Sequence, residues 1–167
     1  MKARISITAF SISIFALMEA ANAQGAAPKQ LFFEGDLVRG AQQGAPGPFC
    51  VLSNQFRRLE KVVWRIRVLD AAGQSLDDKG LKSVVVELPD GQKLNATFDR
   101  HPPPAQGPAL DHFWTAVWII PTSYPSGSLG YKVVATDSDD RLQTWEPFKT
   151  RPSQLTVVDG AIEIKKP

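Results

Sequence analysis

One cysteine, Cys50, leaves no partner for an internal disulfide, and the two methionines, Met1 and Met18, both lie near the N-terminus. A blue-copper site therefore lacks its usual axial methionine. Cys50 also precedes both histidines, His101 and His112, instead of lying between them. No C-x-x-C-H run is present, which excludes a covalently attached c-type haem. No G-x-S-x-G elbow supports Ser53, Ser75 or Ser83 as a hydrolase nucleophile. The adjacent carboxylates Asp77-Asp78 and Asp139-Asp140 point apart on an extended chain, so they read as solvated turn residues and not as an acid–base pair. No stretch of a dozen residues combines helical periodicity with caps, which argues against an α/β fold, and no internal repeat is visible.

What is present begins with MKARISITAFSISIFALMEAANAQG: Lys2 and Arg4 form a basic end, Ile5 to Met18 a mostly apolar run, and Ala21-Asn22-Ala23 a small-residue cleavage site. Residues 1–23 are expected to be a secretory signal peptide cut after Ala23, and the product to be periplasmic or secreted. The apolar run falls short of the roughly 20 residues a membrane-spanning helix needs, so no integral membrane segment is expected. No cysteine at the cleavage point suggests a lipid anchor.

Of the 19 basic and 17 acidic side chains, Lys2, Arg4 and Glu19 belong to this leader, leaving 17 and 16, a balance of +1. That field is too weak to select nucleic acid as a partner. After a leader over 24–30, one domain is expected over 31–159, since about 100 to 200 residues usually build a single core, with a flexible tail over 160–167.

The domain reads as a series of strands. Leu31 to Arg39 is the first, and the glycine- and proline-rich Gly40 to Pro48 must be a loop. Glu60 to Asp70 sets Trp64, Ile66 and Val68 against Arg65 and Arg67, the period-two pattern of a strand with one face in the core and a basic face outward. Leu81 to Leu88 and Gln92 to Phe98 form a hairpin about Pro89-Asp90-Gly91, where proline presets φ and glycine supplies a positive φ. His112 to Ile120 is apolar on both parities, as in a central strand covered on both sides or covered on one by a partner. Gly130 to Asp137 and Arg141 to Trp145 flank the polar turn Ser138-Asp139-Asp140, and Gln154 to Asp159 adds another strand. Seven to nine short runs separated by turns predict an all-β, antiparallel sandwich.

Trp64 on an early strand, the Pro89-Asp90-Gly91 hairpin and YPSGSLGYKVVATDSDDR over Tyr124 to Arg141 resemble bacterial exported immunoglobulin-like or fibronectin-III-like modules. A Y-x-V-x-A-x-D strand before a polar hairpin is matched by Tyr131, Val133, Ala135 and Asp137. The resemblance implies an immunoglobulin-like architecture; the paired cysteines of antibody domains are absent.

Three features carry candidate chemistry. His101 and His112, with Asp99, Asp111 and Cys50, are the groups that zinc or copper would use, and they sit at the two mouths of the loop HPPPAQGPALDHFW. Their spacing matches no fixed motif, and Pro102 to Pro104 already explain the stretch as a stiff connection between strands, so no metal or other cofactor is expected. Cys50, between Pro48-Phe49 and Val51-Leu52, reads as part of an interior strand and is expected to be buried and slow to react; a bridge to another chain or a ligand role are the alternatives. Trp114 and Trp118 share a parity about 13 Å apart. If Phe113, Val117 and Ile119 form the core face, the tryptophans face outward as binding anchors; otherwise they are themselves core.

The function expected from this pattern is a non-catalytic exported binding or accessory module that acts through protein–protein interaction. The alternatives are a periplasmic metal-binding redox accessory protein using His101 and His112, and a carbohydrate-binding module using Trp114 and Trp118.

Overall fold

The computed structural model describes residues 30–42, 44–45, 47–103 and 106–164; the expected signal peptide and nearly all of the leader lie outside the described residues. The described chain is all-β. Its strands are β1 (Phe32–Arg39), β2 (Val51–Leu52), β3 (Gln55–Arg58), β4 (Lys61–Leu69), β5 (Leu81–Glu87), β6 (Lys93–Asn95), β7 (Thr97–His101), β8 (Asp111–Ile119), β9 (Gly127–Leu129), β10 (Lys132–Asp137), β11 (Leu142–Trp145) and β12 (Leu155–Ala161), with a 3-10 turn at Arg151–Ser153. These twelve exceed the seven to nine expected, because β2, β3, β6 and β9 span only two to four residues, too few for a period to show.

Three sheets form, with strand orders β2-β1-β4-β8-β7 (the first sheet), β11-β10-β5-β6 (the second) and β3-β12-β9 (the third). Every described pairing is antiparallel except β12 with β3, which run parallel. The first two sheets contribute to one core. Val62, Trp64, Ile66 and Val68 of β4 and Trp114, Ala116 and Trp118 of β8 belong to the same buried cluster as Val84 and Val86 of β5 and Val133 and Ala135 of β10. The third sheet adds Phe56, Leu155 and Val157. Burial alternates strictly along β4, as its sequence pattern requires.

The second expected hairpin forms, and the first forms in part: Lys93–Asn95 pairs with β5, whereas Thr97 and Phe98, expected in the same strand, cross to the first sheet and pair with β8. Gly91, at φ +86°, donates to the Leu88 carbonyl at 3.0 Å and closes the β5–β6 turn. In the β10–β11 turn the buried Asp137 carboxylate accepts from the backbone N–H groups of Asp139 (2.8 Å) and Arg141 (3.0 Å). The Arg141 N–H, and then that of Asp139, hold this carboxyl below the ordinary carboxylate range. At the C-terminal end β12 runs past the expected limit of Asp159. Ile162 is buried and its N–H donates to the Arg58 carbonyl at 3.1 Å, so the first residues of the expected tail are anchored to β3.

β8 is central, between β4 and β7, yet only one of its faces is in the core. Trp114, Ala116, Trp118 and Ile120 are buried, whereas Val117 and Ile119 are 46% and 49% exposed.

Candidate functional site

The β7–β8 register sets Asp99 opposite Phe113, Arg100 opposite His112 and His101 opposite Asp111. Residues directly opposed across a ladder share a face, so Asp99, His101 and Asp111 lie with Phe113 on the outer face. His112 lies on the other face, with Phe98 and Trp114. The ring contacts agree: His101 packs on Phe113 with centroids 5.4 Å apart, and His112 stacks on Phe98 at 6.2 Å. The two histidines proposed as joint ligands are thus separated by the sheet. Among the described residues no group of three or more histidine, cysteine or acidic side chains is placed to hold a metal ion.

Cys50 is exposed, contrary to the expectation of burial. It sits at φ +57° in a bend before β2, with its N–H donating to the Arg39 carbonyl at 2.7 Å. Its apolar neighbours fail to bury it because β2 is a two-residue edge strand; Phe49, Val51 and Leu52 are exposed as well.

Trp114 and Trp118 also depart from the outward reading. They are only 4% and 5% exposed; the Trp114 indole donates to the Leu76 carbonyl at 3.0 Å, and Trp118 packs edge-on against Tyr124 at 4.7 Å. They cannot serve as a sugar or protein platform while the core is intact. Both parities of β8 are apolar, so its sequence left the choice open; the larger side chains went to the side where the second sheet supplies cover.

What the fold does assemble is the outer face of the first sheet. Arg65 forks onto Asp36, Nε to Oδ1 at 2.7 Å and Nη2 to Oδ2 at 2.5 Å. The hydrogen bond that Arg65 donates to Asp36 outweighs the desolvation of the guanidinium and raises its already high pKa. Arg65 also lies over the Phe113 ring, 5.9 Å from its centroid. Arg67 pairs with Asp111 on β8 and, at 3.6 Å, with Glu34 on β1. These groups line a shallow depression of about 300 Å³. Further along the same face the register sets Val63 opposite Val117 and Lys61 opposite Ile119, so the charged end passes into an apolar one. The alternation of Arg65 and Arg67 signalled this face in the sequence. Glu34 and Asp36, also two apart on one strand, were an equal signal that only the β1–β4 register gives meaning to.

This arrangement suits binding: planar guanidinium groups are held ready by carboxylates beside an aromatic ring and an uncovered aliphatic patch. Compared with known proteins, the chain matches no protein-family model, no curated protein and no solved structure.

Proposed function

We propose that the chain is a non-catalytic exported binding module, an immunoglobulin-like β-sandwich that acts through protein–protein interaction across the outer face of its first sheet. The sandwich reading is supported by the single core shared between the first and second sheets. The observation that carries the binding reading is the outer face of β8. Val117 and Ile119 are half exposed at the end of β8 that runs past its pairing with β7, with β4 as their ladder neighbour, and no described element covers their outer face. Next to them stand Phe113, Arg65 forked onto Asp36, and Arg67 paired with Asp111 and Glu34. Arginine and aromatic groups around an aliphatic centre are the composition of a protein interface. The partner is a folded protein with an apolar patch bordered by polar groups that meet the arginine–carboxylate pairs.

A photo-crosslinking residue introduced at Val117 in the producing cell tests this, with one at Val134, on the outer face of the second sheet, as control. A single discrete adduct is expected from position 117, none from 134, and loss of the adduct on Ile119→Lys. Equal adducts from both faces, or none, would overturn the reading. N-terminal sequencing of the exported protein is expected to begin near Gln24; retention of Met1 there would refute the signal-peptide assignment.

A further inference from the structure

We propose that the free edge of β1 takes up an extended segment of another polypeptide as an added strand, and that this segment alternates basic and apolar residues. The β1 edge lies apart from Val117 and Ile119, though the two sites share the carboxylates of Glu34 and Asp36, and amide protection at Phe33 and Gly35 as against β8 tells the two proposals apart.

The backbone comes first. β2 pairs with β1 only at Val38 and Arg39, so from Phe32 to Asp36 the one described strand beside β1 is β4. The Leu37 carbonyl accepts from Ser53 N–H at 3.1 Å and the Arg39 carbonyl from Cys50 N–H at 2.7 Å, both on the side away from β4. Antiparallel ladders alternate in this respect, so Phe33 and Gly35 turn their N–H and C=O groups the same way, toward the open side. No described strand pairs with them. An edge of this kind is a template for an incoming strand.

The side chains decide what kind of strand. Beside this edge runs a groove of about 450 Å³, between β1 and the chain that follows β11. Gly35 contributes no side chain to it. Tyr131 and Trp145 do, with rings 6.2 Å apart, together with Phe148, which is 81% exposed. Residues of an added strand opposite Phe33 and Gly35 would point inward onto this aromatic floor and should be apolar. Residues opposite Glu34 and Asp36 would point to the outer face, where the four carboxylates of Glu34, Asp36, Asp99 and Asp111 stand against three cations, Lys61, Arg65 and Arg67, with Lys61 at the far end of β4. Glu34 is the least committed of these, with its side chain 59% exposed and its arginine 3.6 Å away. Those outward positions of the added strand should be basic.

A second copy of the chain fits poorly. Two β1 edges paired antiparallel about Gly35 would set Glu34 of one against Asp36 of the other, twice, and directly opposed like charges destabilise a ladder.

The mature protein and synthetic peptides test this. The probes are an eight-residue peptide alternating valine and lysine, its valine–glutamate counterpart, a block-ordered peptide of the same valine–lysine composition, and the alternating peptide N-methylated along its bonding edge. The alternating lysine peptide is expected to bind and to slow hydrogen exchange at the Phe33 and Gly35 amides, and the other three to bind at least tenfold more weakly. Glu34→Lys, at an exposed position, is expected to weaken the lysine peptide about tenfold and to strengthen the glutamate one, with melting unchanged as the check on folding. Equal binding of the alternating and block-ordered peptides, or of the N-methylated one, would overturn the proposal without recourse to any variant. So would protection on β8 in place of β1, or concentration-dependent dimers that already protect Phe33 and Gly35.

Discussion

The first and second sheets bury the same core, yet their outer faces solve the exposed half of a strand differently. On the second sheet the pairs are mostly local, and the exposed apolar side chain there, Leu142 at 68%, sits on the edge strand β11. Ser83 hydrogen-bonds Thr136 across the β5–β10 ladder at 3.0 Å, Lys93 meets Glu87 across β5–β6 at 2.9 Å, and Val85 stands opposite Val134, both partly buried. On the first sheet Arg67 reaches carboxylates on both neighbouring strands, and the aliphatic end of β8 is left about half exposed. A face of short cross-strand pairs satisfies itself. Long guanidinium arms beside bare valine and isoleucine leave both donors and apolar area for something else.

The largest test of this contrast is on the buried side. Trp114→Ala and Trp118→Ala are each expected to cost about 3–5 kcal/mol, whereas Val117→Ala, one step away on the open face, should cost less than about 1 kcal/mol. Denaturant melts of the three variants check it. Tryptophans that bound ligand at the surface would give the reverse order.

Next in size is the phenol of Tyr131, which burial pushes up to about 12 from its usual 10.0. The folded chain keeps this proton through a range in which the unfolded chain has released it. The stability it represents is therefore full below pH 10 and is lost as the pH rises toward 12, by about 2–3 kcal/mol. Melts across pH 9 to 11.5 should show that decline, and Tyr131→Phe should remove its share of it.

The outer faces themselves differ by less. A double-mutant cycle on Arg65 and Asp36 is expected to give a coupling of about 1 kcal/mol, for a bidentate and partly buried pair, and one on Lys93 and Glu87 about 0.2–0.5 kcal/mol. Both should shrink in salt, the second to nothing measurable. Equal couplings would remove the distinction between the faces. The smallest effect belongs to Cys50: exposed at an edge, it should label rapidly and stoichiometrically in the native protein, and Cys50→Ser should change stability by no more than about 0.5 kcal/mol.

Much of the fold was legible because it rests on short-range chemistry. The period of two over Trp64, Ile66 and Val68 needs only the pleat to become a core face, and Pro89-Asp90-Gly91 and Ser138-Asp139-Asp140 are turns through their own φ preferences and side-chain acceptors. The parallel partner of β12 was not legible. Nothing in Leu155 to Ala161 specifies that Gln55 to Arg58 lies beside it, because that pairing is paid for by Phe56, Leu155 and Val157 meeting in the core. The anchoring of Ile162 follows from the same pairing.

The candidate site divides along the same line. By itself the sequence determined that β8 has two apolar faces, that Arg65 and Arg67 share one side of β4, and that Glu34 and Asp36 share one side of β1. Each is a consequence of alternation within a single strand. Only the tertiary structure decided which face of β8 is buried, that His101 and His112 stand on opposite faces, that Cys50 is exposed, and that the carboxylates of β1 meet the arginines of β4. Those outcomes depend on ladder register and on which sheet lies beneath. A one-residue slip in register would exchange the faces of every strand involved, with no change in any local preference.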